Sequence, residues 1–438
     1  MKKKIAIATL GCKVNQFESA SFISGFEEND SQLVPFSSPA DIYVINTCAV
    51  TARAGQQSRQ LVRRAMRANP EARIVVTGCY AQVAGEELLE MIDNPTCIIG
   101  NGNKHLLVET ALTDTLPELV MLTGKISMKK EICPLPVDRF SGRTRAYLRI
   151  QDGCNNFCSY CIVPYSRGRS RSLPTAAVFD QVEKFAREGY REMVITGINV
   201  GKYGLDLDEK QNIYSLLESL CRRYPEMRIR LSSIEPTEVN GRLLDVMTGY
   251  GNFMPHLHIP LQSGDDRILA RMNRHYTVEV FVDVIRRIST ALPRAAIGCD
   301  VLAGFPGEDD QAADNTFRLL EGLPVSYLHV FPYSRRPGTL AASFKEQVDG
   351  KIKEQRVHRL RELDTRKRQA FYRQHLGTSQ QVLVERQNKK SGLLQGFSEN
   401  YIPLQFKGPA RLRHRIVPVH FDRLEDEQPL GSVEIEQE

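Results

Sequence analysis

The sequence predicts an α/β protein with three parts: an N-terminal parallel-sheet α/β domain, a partial (β/α)6 barrel and a small C-terminal antiparallel β-barrel. Three observations predict this architecture. Strand-like apolar runs alternate with helical patterns up to residue 115, and do so again from about 144 to 335; such alternation is typical of parallel sheets covered by helices. After Gly377 the runs are short and are separated by Gly, Asn and Pro turns. The predicted domains span residues 1–115, 140–372 and 373–438.

In the first domain, the runs KIAIATL, DIYVINT and RIVVTG are predicted strands. Helical stretches separate them, and in the stretch 52–68 the residues Leu61, Val62 and Ala65 share one apolar face. The segment 116–143 contains three prolines and is predicted to be an irregular linker.

Six further strands are predicted in the second domain. They are AYLRIQ (146–151), EMVITGIN (192–199), RIRLSSIEP (228–236), HLHIPLQS (256–263), AIGCDVLAGF (296–305) and YLHVFPYS (327–334). Helical segments separate most of them, so the strands should run parallel. Six strands form an open, partial barrel rather than the closed barrel of eight.

A long basic helix is predicted over 346–375, followed by the short strands of the third domain. The segment from Gly350 to His375 contains nine Lys/Arg and three Asp/Glu, which equals the net charge of +6 of the whole chain. Such a concentration of positive charge indicates a polyanion partner, although a solvated helix face explains it equally well.

The composition argues against several classes of protein. Apolar residues make up 42% of the 438 residues, as in ordinary globular proteins, and no run of about 20 apolar residues suggests a membrane span. The basic, then apolar start MKKKIAIATLGC lacks a cleavage site of the signal-peptide kind. We therefore expect a cytoplasmic protein without membrane contact, in which ten cysteines bind metal or perform chemistry rather than form disulfides.

Three cysteines lie within nine residues in GCNNFCSYC: Cys154, Cys158 and Cys161. A [4Fe–4S] cluster usually takes four thiolates, so three would leave one iron open to an external ligand. The motif follows the first predicted barrel strand and should lie at the carboxyl-terminal rim, where barrel active sites are built. The alternative is a zinc site, but zinc prefers four closed ligands and no fourth is nearby in the sequence.

Three more cysteines each follow a predicted strand of the first domain: Cys12 in TLGC, Cys48 in INTC and Cys79 in VTGC. In a parallel sheet they would meet at the carboxyl edge, where such folds bind ligands. We interpret them as a second site with three thiolates; burial as ordinary core residues is the alternative. The remaining cysteines belong to no such group and are predicted to be core residues: Cys97, Cys133, Cys221 and Cys299.

These motifs resemble the methylthiotransferases, a family of radical S-adenosylmethionine enzymes. The resemblance covers nearly the whole chain and includes TLGCKVNQFES, INTCAVTARAGQQSRQ, QDGCNNFCSYCIVPYSRGRSRS, HIPLQSGDDRIL and HVFPYSRRPGT. The final segment resembles the TRAM RNA-binding domain, most clearly in GFSENYIPLQF. The resemblance identifies the partial barrel as a radical S-adenosylmethionine core and the first domain as the carrier of an auxiliary iron–sulfur cluster.

The resemblance implies two [4Fe–4S] clusters, with Cys154, Cys158 and Cys161 on the radical cluster, and S-adenosylmethionine as cofactor. TLGCKVNQ looks most like the members that methylthiolate N6-threonylcarbamoyladenosine at position 37 of tRNA, next to the anticodon. Isopentenyladenosine-directed members usually carry Gln-Met where this chain has Lys13 and Val14, and members that modify a ribosomal protein carry Pro-Lys. Both remain alternatives. The reaction also needs a reducing electron donor and a sulfur source. The sequence identifies neither of them, nor the oligomeric state.

Polar residues and a glycine at the ends of the barrel strands are the predicted S-adenosylmethionine contacts, with simple caps and turns as the alternative for each. They are Gly197, Asn199, Ser232, Ser233, Glu235, Gln262 and Ser263.

Two arginine groups and two aromatic residues are candidate RNA contacts. The arginines are expected to meet tRNA phosphates, with solvated surface residues as the alternative: Arg59, Arg63 and Arg67 on one helix face, and Arg167, Arg169 and Arg171 after the cysteine motif. Phe397 and Tyr401 in the third domain are expected either to stack on bases or to pack its core.

Overall fold

The computed structural model describes residues 2–114, 117–208 and 211–433. Its first domain contains a six-stranded parallel sheet with the order β2-β1-β3-β4-β5-β6. The strands are β1 (Lys4–Thr9), β2 (Gln32–Val34), β3 (Ile42–Thr47), β4 (Arg73–Gly78), β5 (Thr96–Ile99) and β6 (Leu119–Leu122). The helices are α1 (Lys13–Glu28), α2 (Ala52–Ala68), α3 (Cys79–Val83), α4 (Gly85–Leu89) and α5 (Leu107–Leu112).

The three predicted strands β1, β3 and β4 form the centre of this sheet, and the flanking strands β2, β5 and β6 were not predicted. β6 lies inside the segment that was expected to be a linker, so the first sheet extends beyond residue 115. It pairs with β5 over Thr96↔Leu119 to Ile99↔Leu122. A four-residue strand carries too little periodicity to be distinguished from a loop in the sequence.

The second domain is the expected partial barrel. Its six main strands run parallel and in sequence order, as two three-stranded sheets connected by a bridge between Ser233 and His258. They are β7 (Arg145–Arg149), β10 (Glu192–Thr196), β11 (Arg228–Leu231), β12 (His256–His258), β13 (Ala296–Ala303) and β14 (Tyr327–Pro332); β8 (Gln151–Asp152) and β9 (Arg171–Ser172) pair separately. Most of the main strands end before their predicted limits, because the following residues turn into the rim loops.

Eight helices accompany these strands in the described part of the domain. They are α6 (Val163–Arg167), α7 (Thr175–Arg187), α8 (Ile213–Arg223), α9 (Gly241–Gly249), α10 (Asp266–Arg271), α11 (Val278–Ala291), α12 (Asp310–Gly322) and the long basic α13 (Gly350–Arg373). No helix within 2–114, 117–208 or 211–433 has both the length and the apolar character that a bilayer crossing requires.

The third domain is a closed five-stranded barrel with the order β15-β16-β17-β19-β18. Its strands are β15 (Ser379–Gln387), β16 (Leu394–Phe397), β17 (Pro403–Phe406), β18 (Ile416–Glu425) and β19 (Gln428–Ser432). The expected antiparallel pairing holds except between β17 and β19, which are parallel. An odd number of strands cannot alternate in direction all the way around a closed ring, so at least one pair must be parallel. The end of the predicted domain, 434–438, lies outside the described residues.

The first domain and the partial barrel share one hydrophobic core. Phe140, from the connecting segment, lies between them, with its ring centroid 6.5 Å from that of Phe17 on α1 and 5.8 Å from that of Phe185 on α7. The opposite face of the first sheet is covered by α2, α3 and α4, and the small barrel has a core of its own. The shared core fixes the carboxyl edge of the first sheet relative to the rim of the barrel.

Candidate functional site: two cysteine groups at a domain interface

The first cysteine group lies where the sequence predicted it, at the carboxyl edge of the first sheet. Cys12 caps the start of α1, Cys48 follows β3 and Cys79 begins α3. Since β1, β3 and β4 are parallel neighbours, the three ends lie side by side. A Cβ on Gly11, which has φ +95°, would stand 3.0 Å from Sγ of Cys48. This glycine therefore keeps open the space between Cys12 and Cys48.

The electrostatic environment of this group suits a cation. Burial and, to a smaller extent, the neighbouring Cys79 together raise the pKa of the Cys48 thiol to about 11. A thiolate in this position consequently needs a positive partner, which iron supplies because metal ligation deprotonates a thiol. The side-chain amide of Asn101 donates to Sγ of Cys79 at 3.8 Å and to the carbonyl of Ser166 at 2.6 Å. Asn101 thus connects the first group to the second domain.

The second cysteine group lies on the loop between β8 and α6. The loop is held at both ends, because Cys154 N–H donates to the carbonyl of Gly168 at 3.1 Å and Ser159 Oγ donates to the carbonyl of Arg271 at 2.8 Å. Gly153 has φ +77°, and a Cβ there would lie 2.0 Å from the carbonyl oxygen of Arg169. The glycine of the GCNNFC motif is therefore required for the close approach of these two segments.

Donors point at the sulfurs of the second group. Asn156 N–H donates to Sγ of Cys154 at 3.4 Å, and Nη1 of Arg274 donates to Sγ of Cys158 at 3.3 Å. Burial, to which the neighbouring Cys158 adds, raises the pKa of Cys161 to about 12 and that of Cys154 to about 11. Three partly buried cysteines, two of them with a donor at the sulfur, fit a cluster that carries its own positive charge.

A buried ionic network lies beside the first cysteine group, and sequence reasoning missed it. Nη1 of Arg167 lies 3.0 Å from Oε1 of Glu18 on α1 and 2.9 Å from Oδ1 of Asp152, while Nη2 donates to Asn15 at 2.6 Å. Lys104 also pairs with Glu18, and all the charged side chains of this network are at most 3% exposed. The network joins the helix that starts at Cys12 to the helix that follows the second cysteine loop.

The predicted phosphate role of two arginines after the cysteine motif is wrong. Arg167 is buried in the network described above, and Arg171 is buried beside Asp152 with its guanidinium donating to the carbonyl of Arg167. Only Arg169 is exposed, with its guanidinium 4.7 Å from the ring centroid of Phe157. Arginine spacing in the sequence does not reveal which side chains find a buried carboxylate in another domain.

In the other arginine group, Arg59 donates to the hydroxyl of Tyr80 and lies 3.3 Å from Glu87, whereas Arg63 and Arg67 are exposed. Of the two alternatives for Phe397 and Tyr401, the structure shows packing against protein groups. Their rings stack on each other with centroids 4.6 Å apart, and the guanidinium of Arg145 lies 5.0 Å from one ring and 5.4 Å from the other. Both rings pack between the small barrel and the partial barrel.

The predicted S-adenosylmethionine contacts at the ends of β10 and β11 lie in different surroundings. Gly197 lies close to Gln151, whose Oε1 accepts from the N–H of Asn199 at 2.7 Å. The Asn199 amide group faces the Glu238 carboxylate at 3.0 Å. Ser232 and Ser233 line a cavity inside the barrel.

Glu235 is paired with Arg274, the residue that also contacts Cys158. Burial raises the pKa of Glu235 although Arg274 opposes the shift. At the end of β12, Gln262 adopts φ +65°, and Ser263 is buried with Oγ accepting from the N–H of Asp265 at 3.3 Å. Glu235 therefore lies within one side chain of the second cysteine group, and Ser263 belongs to a local turn.

The four other cysteines are buried away from both groups: Cys97 lies on β5, Cys133 in the connecting segment beside His105, Cys221 on α8 and Cys299 on β13. Arg274 is a site residue that the sequence did not indicate, because it lies in the turn after α10 and outside the recognised motifs.

The partial barrel and the three-cysteine loop at its rim define a radical S-adenosylmethionine protein. Residues 148–320 match the radical SAM superfamily model, and residues 4–100 match that of uncharacterized protein family UPF0004. Among solved structures, the radical S-adenosylmethionine methyltransferase TsrM from Kitasatospora setae, solved with cobalamin and a [4Fe–4S] cluster, is similar in fold. Its TM-score is 0.57 at 16% identity, covering 78% of this chain and 77% of that one.

Curated relatives match nearly the full length. The chain is 38% identical to the threonylcarbamoyladenosine tRNA methylthiotransferase MtaB of Aquifex aeolicus, over 92% of this chain and 97% of that protein. It is also 38% identical to MtaB of Bacillus subtilis, over 95% and 93%. The tRNA-2-methylthio-N(6)-dimethylallyladenosine synthase of Pelotomaculum thermopropionicum is 35% identical over 95% and 94%. The chain belongs to the methylthiotransferase family, and to its MtaB type.

Proposed function

We propose that this protein methylthiolates C2 of N6-threonylcarbamoyladenosine at position 37 of tRNA, beside the anticodon, to give 2-methylthio-N6-threonylcarbamoyladenosine. The observation that carries the proposal is the placement of one three-cysteine group at the carboxyl edge of the first sheet and of another on the loop at the barrel rim, in two domains that Asn101 and the pair of Arg167 with Glu18 connect. The relatives of the MtaB type support the choice of nucleoside.

In this proposal, Cys154, Cys158 and Cys161 hold the radical cluster, and Cys12, Cys48 and Cys79 hold the auxiliary cluster. When bound, the two [4Fe–4S] clusters and S-adenosylmethionine supply the radical that removes hydrogen from C2, together with the sulfur and methyl group that replace it. The C2–H bond is aromatic and unactivated, so the side chains of this protein cannot break it by acid–base chemistry.

The protein's own residues position the reactants. Arg274 donates to Sγ of Cys158 and pairs with Glu235, and so orders the strand ends beside the second cysteine group. We propose that S-adenosylmethionine contacts the strand ends that the sequence indicated: Gly197, Asn199, Ser232, Ser233, Glu235, Gln262 and Ser263. The shared core of the first domain and the barrel keeps the two cysteine groups at a fixed separation.

The domains are proposed as an N-terminal methylthiotransferase domain with the auxiliary cluster, a radical S-adenosylmethionine core and a TRAM domain, with tRNA as the macromolecular partner. Free cysteines and reduced iron–sulfur clusters suit a reducing compartment, so we propose the cytoplasm as the location. Action on isopentenyladenosine in tRNA is the second candidate, supported by the 35% identity with the dimethylallyladenosine-directed relative.

Mass spectrometry of nucleosides tests the proposal. The anaerobically reconstituted protein is incubated with S-adenosylmethionine, a reductant and tRNA that carries either N6-threonylcarbamoyladenosine or isopentenyladenosine. We expect methylthio product from the first tRNA only, and none from either with Cys158→Ala, which removes one ligand of the radical cluster. Product from the isopentenyladenosine tRNA alone would exchange the first candidate for the second.

A further inference from the structure

A cavity of about 280 Å³ lies inside the partial barrel. At one end the cavity reaches Lys13, the residue after Cys12, and on one side it reaches Ser233. Ser233 comes two residues before Glu235, whose carboxylate pairs with Arg274 beside Cys158. At the other end, Asn400 and Tyr401 of the small barrel close it. Given the proposed function, on which this inference rests, the position is suitable for the modified base and its N6 substituent.

The cavity contains one cation that no described carboxylate compensates. Each arginine lining it has a carboxylate partner outside it: Arg145 with Glu385 at 2.6 Å, Arg230 with Glu192 at 2.8 Å, and Arg368 with Asp364 at 2.9 Å. Within residues 2–114, 117–208 and 211–433, Lys13 has neither an ion pair nor a hydrogen bond from its side chain. Lys13 is exposed where the cavity opens, whereas His256 and His258 are buried.

Polar groups line the interior of the cavity. Asp300, the one acidic residue of the lining, has its Oδ1 2.8 Å from Nε2 of His258 and 3.6 Å from Nδ1 of His329. The hydroxyl of Tyr327 is shared between His256 Nε2 and His258 Nδ1 at 2.8 and 3.1 Å. Nδ1 of His256 has no partner in the structure, although this residue is only 6% exposed. The unpaired buried nitrogen of His256 calls for a polar ligand rather than a hydrocarbon one, and the unpaired ammonium group of Lys13 at the opening can pair with an anionic group of that ligand.

We propose that Lys13 binds the threonyl carboxylate of N6-threonylcarbamoyladenosine and is a specificity-determining residue of this enzyme. The substituent is the only part of the modified base with a negative charge, and an isopentenyl group offers no charge at this place. A site with a cation rejects a ligand that cannot pair with it, because the cation is then desolvated without compensation. A charge-assisted hydrogen bond contributes about 1.5–3 kcal/mol, which corresponds to roughly 10- to 150-fold in kcat/KM.

The same lysine could instead meet a phosphate of the tRNA backbone, and a cycle of two perturbations distinguishes the two anions. Two anticodon stem-loops are prepared, one with the natural nucleoside and one in which its carboxylate is replaced by a carboxamide. Both are given to the anaerobically reconstituted full-length protein and to its Lys13→Met variant. For each pair, we measure kcat/KM for methylthiolation and, by fluorescence anisotropy, the Kd of the stem-loop.

If Lys13 binds the carboxylate, either change alone lowers kcat/KM by about 10- to 150-fold and raises KM and Kd more than it lowers kcat. The two changes together lower it little further, since each removes the same contact. Lys13→Arg, which keeps the charge, restores most of the loss. Lys184→Met is the matched control and should change nothing, because Lys184 lies on the outer helix α7 and pairs with Asp138.

Equal losses by Lys13→Met on both stem-loops would overturn the proposal in favour of a phosphate contact, and an unchanged Kd for both would overturn it altogether. Should Lys13→Met fail to assemble its clusters, the unmodified protein still decides: no preference for the carboxylate over the carboxamide refutes the inference. If the unmodified protein methylthiolates neither stem-loop but accepts isopentenyladenosine, the proposed function itself has failed.

Discussion

Replacement of Arg167 by methionine should destabilise the protein, because this residue connects its first two domains. Its guanidinium lies between Glu18 of the first domain and Asp152 of the barrel, and the three side chains are at most 3% exposed. Burial alone would raise the pKa of Glu18, but Arg167, Lys104 and Arg149 outweigh burial and hold that pKa well below its usual value. Methionine fills similar space and removes the charge and all of the hydrogen bonds.

The expected magnitude follows from the contacts that are lost. The change removes two charged contacts, at 3.0 and 2.9 Å, and the hydrogen bond to Asn15 at 2.6 Å. Asp152 then keeps a hydrogen bond from the N–H of Gly153 at 3.0 Å, and its one remaining ion pair is the distant contact with Arg171 at 3.7 Å. Removing one partner of a buried ion pair typically costs about 3–5 kcal/mol. Because the first domain and the barrel share one core, they form a unit of roughly 370 residues, for which an unfolding entropy of about 2.1 cal/mol/K per residue makes this a decrease of roughly 4–6 °C in Tm.

Thermal unfolding of the cluster-free protein measures this effect without interference from iron. The matched control is Arg169→Met, two residues away, since Arg169 is exposed and should shift Tm by less than about 2 °C. If Arg167 contacted tRNA phosphates instead, its replacement would leave Tm unchanged and reduce the salt dependence of tRNA binding by about one ion. That pair of results would refute the role of Arg167 at the domain interface.

Two further predictions concern charge. The pKa values of Glu18 and Asp152 are lowered in the folded protein, so both carboxylates stabilise it fully above their unfolded pKa values of about 4.3 and 3.9. This contribution is lost as the pH falls toward the folded pKa values. Thermal unfolding of cluster-free protein between pH 7 and 3.5 should therefore show a smaller loss of Tm for Glu18→Gln than for the unmodified protein. Arg63 and Arg67 are exposed on α2, and their joint replacement by glutamine should weaken tRNA binding without changing Tm. The slope of log K for tRNA binding against log salt concentration should decrease by about 1–2. An unchanged slope would exclude α2 from the tRNA-binding surface.

Local patterns in the sequence were sufficient to predict the parts of the site that local geometry determines. Cys12, Cys48 and Cys79 each follow a strand, and parallel strands bring their ends to one edge, so their proximity could be predicted without coordinates. The six barrel strands were likewise recognised from their alternation with helices.

Features that depend on distant partners were missed. Arg167 resembles an exposed basic residue in the sequence, and its burial depends on Glu18, which is 149 positions away. Tyr401 has the composition of an RNA-stacking residue, but its hydroxyl accepts from Arg145 at 3.1 Å across a domain boundary. The cavity charge at Lys13 emerges only when the partners of Arg145, Arg230 and Arg368 are known.

The central claim is that six cysteines form two separate cluster sites, and iron analysis tests it most directly. Anaerobically reconstituted protein should contain about eight irons per chain, and the triple variants that replace either Cys12, Cys48 and Cys79 or Cys154, Cys158 and Cys161 by alanine should each contain about four. About four irons in the unmodified protein, or about eight in either triple variant, would contradict the claim.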